Sequence, residues 1–477
     1  MKRNGGTMRA AGAAAVFLLL HLSAGGLSAA EEPAERPGPL TLEQARVLAL
    51  ANSRSIALSN LAVKNAILEE RAALYAMLPS LSADAGGSAS LWNAQGGTSK
   101  ISDTLGASLG FSVSQGLFRG GKGLVQRAIN AIGSEMARQE AQAAYFGVLK
   151  TADDLFFGAL EAAAGLEAAE SSLETAALGL SIAETRFQNR MLGRSDYLAA
   201  LAEKESKENE RNRARRDLIL GREKLKNLTG LPELPDLEAA DFEQAGELLS
   251  ALAGISGDGI AALNRRFQEA VHANNPSLAR TRLAGQQAEK GLSLAKRDYA
   301  PNLGASFATG LTYDRTGGLR YSSGRLSLSG SIPLDFHVIA NNVEKKKIAR
   351  DTAVLNGLEA EELLKLEAEA ALLDAAAQAE SALSAGRACE YAEEHFSLVL
   401  ERFRLSQNSV PELSDAAALL QTNRTALIRS RYGFLRSLSA LRTLGAFASD
   451  AELAALLLSA AGETAGPQER RGPGGDR

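Results

Sequence analysis

The chain has 477 residues, with 52 Lys plus Arg against 56 Asp plus Glu and a formal net charge of −4, a balance that argues against a nucleic-acid partner. Its one cysteine, Cys389, excludes an intrachain disulfide framework. Aromatic residues are only 5% while Ala, Leu, Glu, Lys and Arg dominate long middle stretches, which favours long helices over the compact cores expected at this length.

Residues 1–30 read as a secretory signal peptide: Lys2, Arg3 and Arg9 precede an apolar run from Ala10 to Leu22, and Ser28-Ala29-Ala30 supplies small residues for cleavage. Cleavage leaves 49 basic against 56 acidic residues. The apolar core is short for an anchor, no later stretch offers ~18 consecutive apolar residues, and no cysteine follows the leader to carry a lipid. The expectation is an exported chain without a transmembrane helix, entering its first structured unit after a linker at 31–39.

That unit spans 40–230. Leu40 to about Leu78 reads as one helix, apolar at Ala45, Leu48, Ala49, Ile56, Leu61, Ile67, Leu68 and Leu74 and closed by Pro79. The period then changes. A strand is expected at about Ser80–Trp92, and TLGASLGFSVS sets Leu105, Ala107, Leu109, Phe111 and Val113 against Gly106, Ser108, Gly110, Ser112 and Ser114. A helix from about Lys122 to Met191 follows, then a polar tip, Arg190-Met191-Leu192-Gly193-Arg194, and a return helix from Asp196 to Leu228.

An acidic linker at 231–262 precedes a second unit at 263–447 with the same order of parts: a helix from about Leu263 to Tyr299 closed by Pro301, strands at Asn302–Asp314 and around GRLSLSGSI with Leu326 and Leu328 against serines, and a helix from about Asn342 to Leu405. The second tip, Gln407-Asn408-Ser409-Val410, restarts with the Ser-x-x-Glu capping box Ser409-Val410-Pro411-Glu412. Arg186-Phe187 matches Arg402-Phe403, Asp196 matches Glu412, and Leu225 and Leu228 match Leu441 and Leu444, all 216 residues apart. The chain therefore reads as two copies of one unit. Residues 448–477 read as a tail, partly disordered.

An ordinary soluble hairpin also alternates. Here, however, the face opposite the apolar one is almost wholly Gly, Ser and Thr, too small to fill a core and suited to a wet lumen. Strands of about ten residues match membrane-barrel spans, with Leu109, Phe111, Val113, Leu326 and Leu328 facing lipid. Four strands cannot close, so the barrel must be shared among chains.

The leader, the duplicated helix-hairpin-helix units, the Pro-closed entry helices, SQGLF (Ser114–Phe118) and SIPLD (Ser331–Asp335) before the long helices, and RF…tip…LxxL after them together resemble the TolC family of outer membrane efflux proteins over nearly all of residues 40–446. The resemblance implies a mainly α fold with a membrane β-barrel: two-fold repeated long α-hairpins form a trimeric helical tube, continued by a shared 12-stranded barrel. It implies an outer membrane exit duct reaching into the periplasm, passively serving an inner membrane pump through a periplasmic adaptor that meets the tips. It also implies that Glu412 and Asp415, with Asp196 in the first copy, face a pore constriction. The chain departs from the family where Gly116 replaces a frequent Pro, where Arg190 and Ser406 replace tip glycines, and where Asn408 and Phe403 stand at the places of an Arg–Tyr clamp. The alternative is a periplasmic coiled-coil adaptor or structural protein without a pore.

GLFRGGKG, Gly116–Gly123, fits G-x-x-x-x-G-K, but Gly123 stands where a phosphate loop needs Ser or Thr. A strand-to-helix turn is the simpler reading. His272, His337 and His395 lie in separate elements with no zinc-site spacing, no nucleophile–base pair stands out, and neither a cofactor nor an enzymatic activity is expected.

Overall fold

The computed structural model describes residues 38–464 apart from 91–92, 96–97, 101–103, 241, 255–256, 315–317 and 406; the expected signal peptide lies outside these. The entry helix is two helices, α1 (Leu42–Asn52) and α2 (Arg54–Tyr75), not the single one expected. Ser53 between them is extended, and its hydroxyl accepts the Ile56 N–H at 3.3 Å, so a new N-cap interrupts the apolar periodicity.

Strand β1 (Ser80–Ser90) follows, then a short hairpin of β2 (Asn93–Gln95) and β3 (Thr98–Lys100), then β4 (Thr104–Arg119). Helix α3 (Lys122–Gln188) has 67 residues, or ~100 Å at 1.5 Å each, and α4 (Arg194–Thr229) returns along it. Gly120 and Gly121 turn the chain from β4 into α3 with φ of 60° and 72°. A Cβ on Gly120 would stand 2.4 Å from that of Ala300, so only glycine fits.

The linker folds into α5 (Phe242–Ala253), and α6 (Gly257–Asn274) leads into α7 (Pro276–Lys296) and a 3₁₀ turn at Arg297–Tyr299. Here too the expected single helix is broken. Pro276 disfavours helical geometry at Asn275, whose side chain instead accepts the Ser277 and Leu278 N–H groups at 3.0 and 3.1 Å. Strands β5 (Asn302–Asp314) and β6 (Gly318–Ser331) precede α8 (Phe336–Arg404), which starts a turn and a half before the expected Asn342, and α9 (Val410–Gly445). Helix α10 (Asp450–Thr464) was not foreseen; its Leu453 and Leu457 are buried against α5 and α6.

The helices form a layer in which α3 is flanked by α2 and α4 on one side and by α7 and α9 on the other, with α8 beyond them. Asn52 Nδ2 donates to the Asn227 and Leu228 carbonyls at 3.2 Å, and Asn275 Nδ2 donates to the Leu444 carbonyl at 2.9 Å. Each amide satisfies the otherwise orphaned C-terminal carbonyls of a return helix at the start of an entry helix. Leu225 and Leu441, paired by the sequence offset, are both fully buried, each worth about 1.5–3 kcal/mol of burial.

Candidate functional site

Four strands make one antiparallel sheet in the order β1-β4-β5-β6. Its register carries rows of directly opposed residues across the sheet, and opposed residues share a face. One row is Leu81, Val113, Phe307 and Leu326; another is Ala85, Leu109, Leu311 and Tyr321. Phe111 stands between Ala83 and Thr309, and Leu328 opposite Ala305. The five residues expected on an apolar outer face, Leu109, Phe111, Val113, Leu326 and Leu328, therefore lie on one face, and all are exposed within the chain. The sequence pattern missed that this face carries no charged side chain on any of the four strands, and that aromatic rings stand near both its ends.

The other face repeats small residues: Ser82, Ser112 and Ala308 in one row, Gly86, Ser108 and Thr312 in another. Ser80 and Ser114 hydroxyls bond at 2.6 Å, Ser82 and Ser112 at 2.7 Å. Bulges at Leu117 in β4 and at Ser323-Gly324 in β6 bend the sheet. At its foot, Gln115 of SQGLF donates to the Met77 carbonyl at 3.0 Å, Arg297 to the Gly120 carbonyl at 2.9 Å, and Lys122 pairs with Asp298 at 2.9 Å. The Gly120 carbonyl is thus turned to a guanidinium and the glycine run serves the turn, as the simpler reading expected.

At the far end of the layer the two tips share a small core of Ala183, Ala200, Val399, Phe403, Val410, Leu413 and Ala416. Arg186 lies over the Phe403 ring, 4.3 Å from its centroid, and donates to the Phe403 carbonyl. It joins the first tip to the second, a tie that the matched RF pairs hinted at without revealing. Phe187 stacks on Tyr197 at 5.0 Å. Of the expected tip contacts, Arg190, Met191, Gly193, Arg194, Gln407 and Ser409 are exposed and Leu192 and Asn408 half-buried. Val410 is buried in the tip core, which leaves it no surface for a partner. Arg190 has φ 60°, the left-handed conformation for which glycine is preferred.

Ser409 donates its N–H to the Glu412 carboxylate at 2.9 Å, the return half of the capping box. Glu412 and Asp415 are exposed and three residues apart on α9, while Leu413 and Ala416 are buried, and Asp196 is half-buried in the first turn of α4. No other group of the chain ties down Asp415 among the described residues.

Midway along the layer lies a buried ionic network with no sequence signature. Asp153 of α3, 1% exposed, accepts from Arg46 Nε at 2.6 Å, Arg46 Nη2 at 2.8 Å and the Ser439 hydroxyl at 2.5 Å. Arg46 also reaches Asp450 at 2.7 Å, which Arg442 approaches to 3.1 Å. Burial disfavours the charge on Arg46, but the hydrogen bonds and charge of Asp153, then of Asp450, outweigh it and raise its pKa. Among the described residues no cluster of His, Cys, Asp and Glu is placed to hold a metal ion, and no helix is long and apolar enough to cross a membrane.

Residues 45–231 match the family model described as outer membrane efflux protein. No curated protein matches the sequence. Among solved structures, the Campylobacter jejuni CmeC outer membrane channel is 16% identical with a TM-score of 0.69, over 88% of this chain and 89% of that one. The outer membrane protein VceC of Vibrio cholerae is 16% identical with a TM-score of 0.68, over 85% and 96%. The open state of the Neisseria gonorrhoeae MtrE outer membrane channel is 17% identical with a TM-score of 0.66, over 85% and 88%. At these identities the likeness is one of fold. The resemblance to the TolC family is borne out: residues 45–231 match the outer membrane efflux protein model, and the described chain has the fold of these outer membrane channels.

Proposed function

We propose that the chain is the outer membrane exit duct of a tripartite efflux or type I secretion system. Three copies close their sheets into a 12-stranded barrel and their helix layers into a periplasmic tube. In this reading 40–230 and 263–447 are the two repeats, 231–262 is a band outside the tube, and an adaptor meets the exposed tip residues. The duct does no chemistry and needs no cofactor; the pump supplies the energy.

The observation that carries this reading is the apolar, uncharged face of an open sheet. Leu81, Leu326 and Leu328 are 77–79% exposed, and β1 and β6 have unpaired outer edges among the described residues. In water such a sheet would aggregate; in a closed barrel it faces lipid. From Leu303, opposite Phe118, to Tyr313 the strand climbs ten residues, ~34 Å, which a 35–45° tilt reduces to the ~25 Å of a barrel's apolar band. The helix layer has open edges too: Leu355, Leu358, Leu363 and Leu366 on α8 and Leu58, Leu61 and Leu68 on α2 are exposed, as a head-to-tail ring of copies requires. A pore-less adaptor would need neither.

Glu412 and Asp415, three residues apart on one exposed face, line the constriction in this reading, six carboxylates in the trimer. The test is single-channel recording of Glu412→Ala/Asp415→Ala. The trimer should assemble, with weaker block by multivalent cations and lower cation selectivity; unchanged block and selectivity would remove these acids from the pore.

A further inference from the structure

The small-residue face of the sheet is not neutral. Following the register, Arg325 lies in the row of Ser82, Ser112 and Ala308, and Arg320 in the row of Gly86, Ser108 and Thr312. Both are exposed, and neither has an acidic partner among the described residues. A third arginine, Arg119, stands in the last row of the same face opposite Asn302. Its guanidinium folds back over the backbone of Gly116, where an added Cβ would lie 2.6 Å from Nε. Against these, the face carries one acid whose side chain is described, Asp84, in the row of Gly110, Gly310 and Ser322. A second acid, Asp314, belongs to the same face by register, in the row of Gly106 and Gly318 at the end of β5; the remaining residues of the face are Gly, Ala, Ser, Thr or Asn, too short to shield or neutralise a guanidinium.

We propose that Arg320 and Arg325, seconded by Arg119, make the barrel lumen an anion-attracting passage, and that the cargo this exit favours is small organic anions bearing carboxylate, sulfonate or phosphate groups. The inference rests on the duct reading, which places this face in the lumen. Three copies would bring nine arginines against six carboxylates, from Asp84 and Asp314, into one water-filled bore between low-dielectric walls. A passage in which one sign of charge predominates raises counter-ion concentration, by about tenfold where the excess is strong, and guanidinium groups bind carboxylate and phosphate with paired hydrogen bonds. The acids of the tips, at the other end of the molecule, would act on cations. The duct would then carry opposite charge at its two ends, with the arginines acting last on the permeant.

The test uses the full-length protein in planar bilayers with a potassium chloride gradient, the tip acids left intact. Arg320→Gln/Arg325→Gln should lower the chloride-to-potassium permeability ratio several-fold, Asp84→Asn should raise it, and Arg320→Lys/Arg325→Lys should leave it near the wild-type value. The differences should shrink at molar salt, where the Debye length falls to ~3 Å. A conducting wild type whose ratio is unmoved by both the Gln and Asn variants, or moved in one direction by both, would overturn the proposal while leaving the duct in place. A wild-type oligomer that never conducts would overturn the duct reading and this inference together. If the Gln variant fails to assemble, the direction of the Asp84→Asn shift decides.

Discussion

Asp153→Ala offers a measurable test of how the helical body is held together. The Asp153 carboxylate is inaccessible and accepts three hydrogen bonds, two from Arg46 at 2.6 and 2.8 Å and one from Ser439 at 2.5 Å. The Arg46 side chain is 11% exposed, so solvent screening provides little relief when its partner goes. Removing one member of a buried pair costs about 3–5 kcal/mol because the survivor is left uncompensated. Here Arg46 keeps its 2.7 Å bond to Asp450, whose side chain is 60% exposed, which places the expected loss near the lower figure, about 3 kcal/mol. Arg46→Met/Asp153→Leu removes both charges and the orphan with them, and should cost much less than the sum of the single changes. The readout is urea unfolding of the detergent-solubilised protein, followed by helical circular dichroism, for the wild type, both single variants and the double. A loss below about 1 kcal/mol in Asp153→Ala, or strict additivity in the double variant, would refute the claim that this network clamps α1, α3, α9 and α10.

Two further outcomes are expected. Phe111→Arg or Leu328→Arg should cost ~2–4 kcal/mol of barrel stability if the site lies near the bilayer midplane, and less toward either interface; Ser108→Arg should assemble normally and alter conductance, and equal assembly defects from both kinds of change would count against the lipid and lumen faces. Arg190→Gly should stabilise the first tip by about 1 kcal/mol, since φ 60° penalises a side chain; a higher protease sensitivity at the tip in this variant would show that the Arg190 side chain contributes more than its backbone strain costs.

What was legible in the sequence was whatever a local period or a terminator encodes. The expected bounds of β5, Asn302–Asp314, are those observed, because Pro301 ends one element and strict alternation defines the next. The tip at Ser409 was legible for the same reason, since the capping signal and Pro411 stand side by side. The breaks at Ser53 and Asn275 were also signalled, by Asn52-Ser53 and by Pro276, but the apolar stripe continues in phase across both and masks them. Helix α10 was passed over because its Leu453 and Leu457 adjoin a polar, glycine-rich end that dominates the composition. The buried network was beyond such reading altogether: Arg46 meets Asp153 across 107 residues and Asp450 across 404, and neither separation leaves a periodic trace.

The departures from the family pattern show how the two kinds of information combine. Gly116 stands where the resemblance leads one to expect Pro. In the sheet the Arg119 guanidinium lies over its backbone, and a Cβ at 116 would stand 2.6 Å from Nε, so that the arginine would have to shift. The glycine and the arginine three residues later are thus one feature. A proline at 116 would crowd the same guanidinium. If Gly116 exists to seat Arg119, then Gly116→Ala should move the charge at the foot of the lumen without unfolding the strand, and its effect on ion selectivity should vanish in an Arg119→Gln background. A structural role for the glycine alone predicts the opposite: the same effect in both backgrounds.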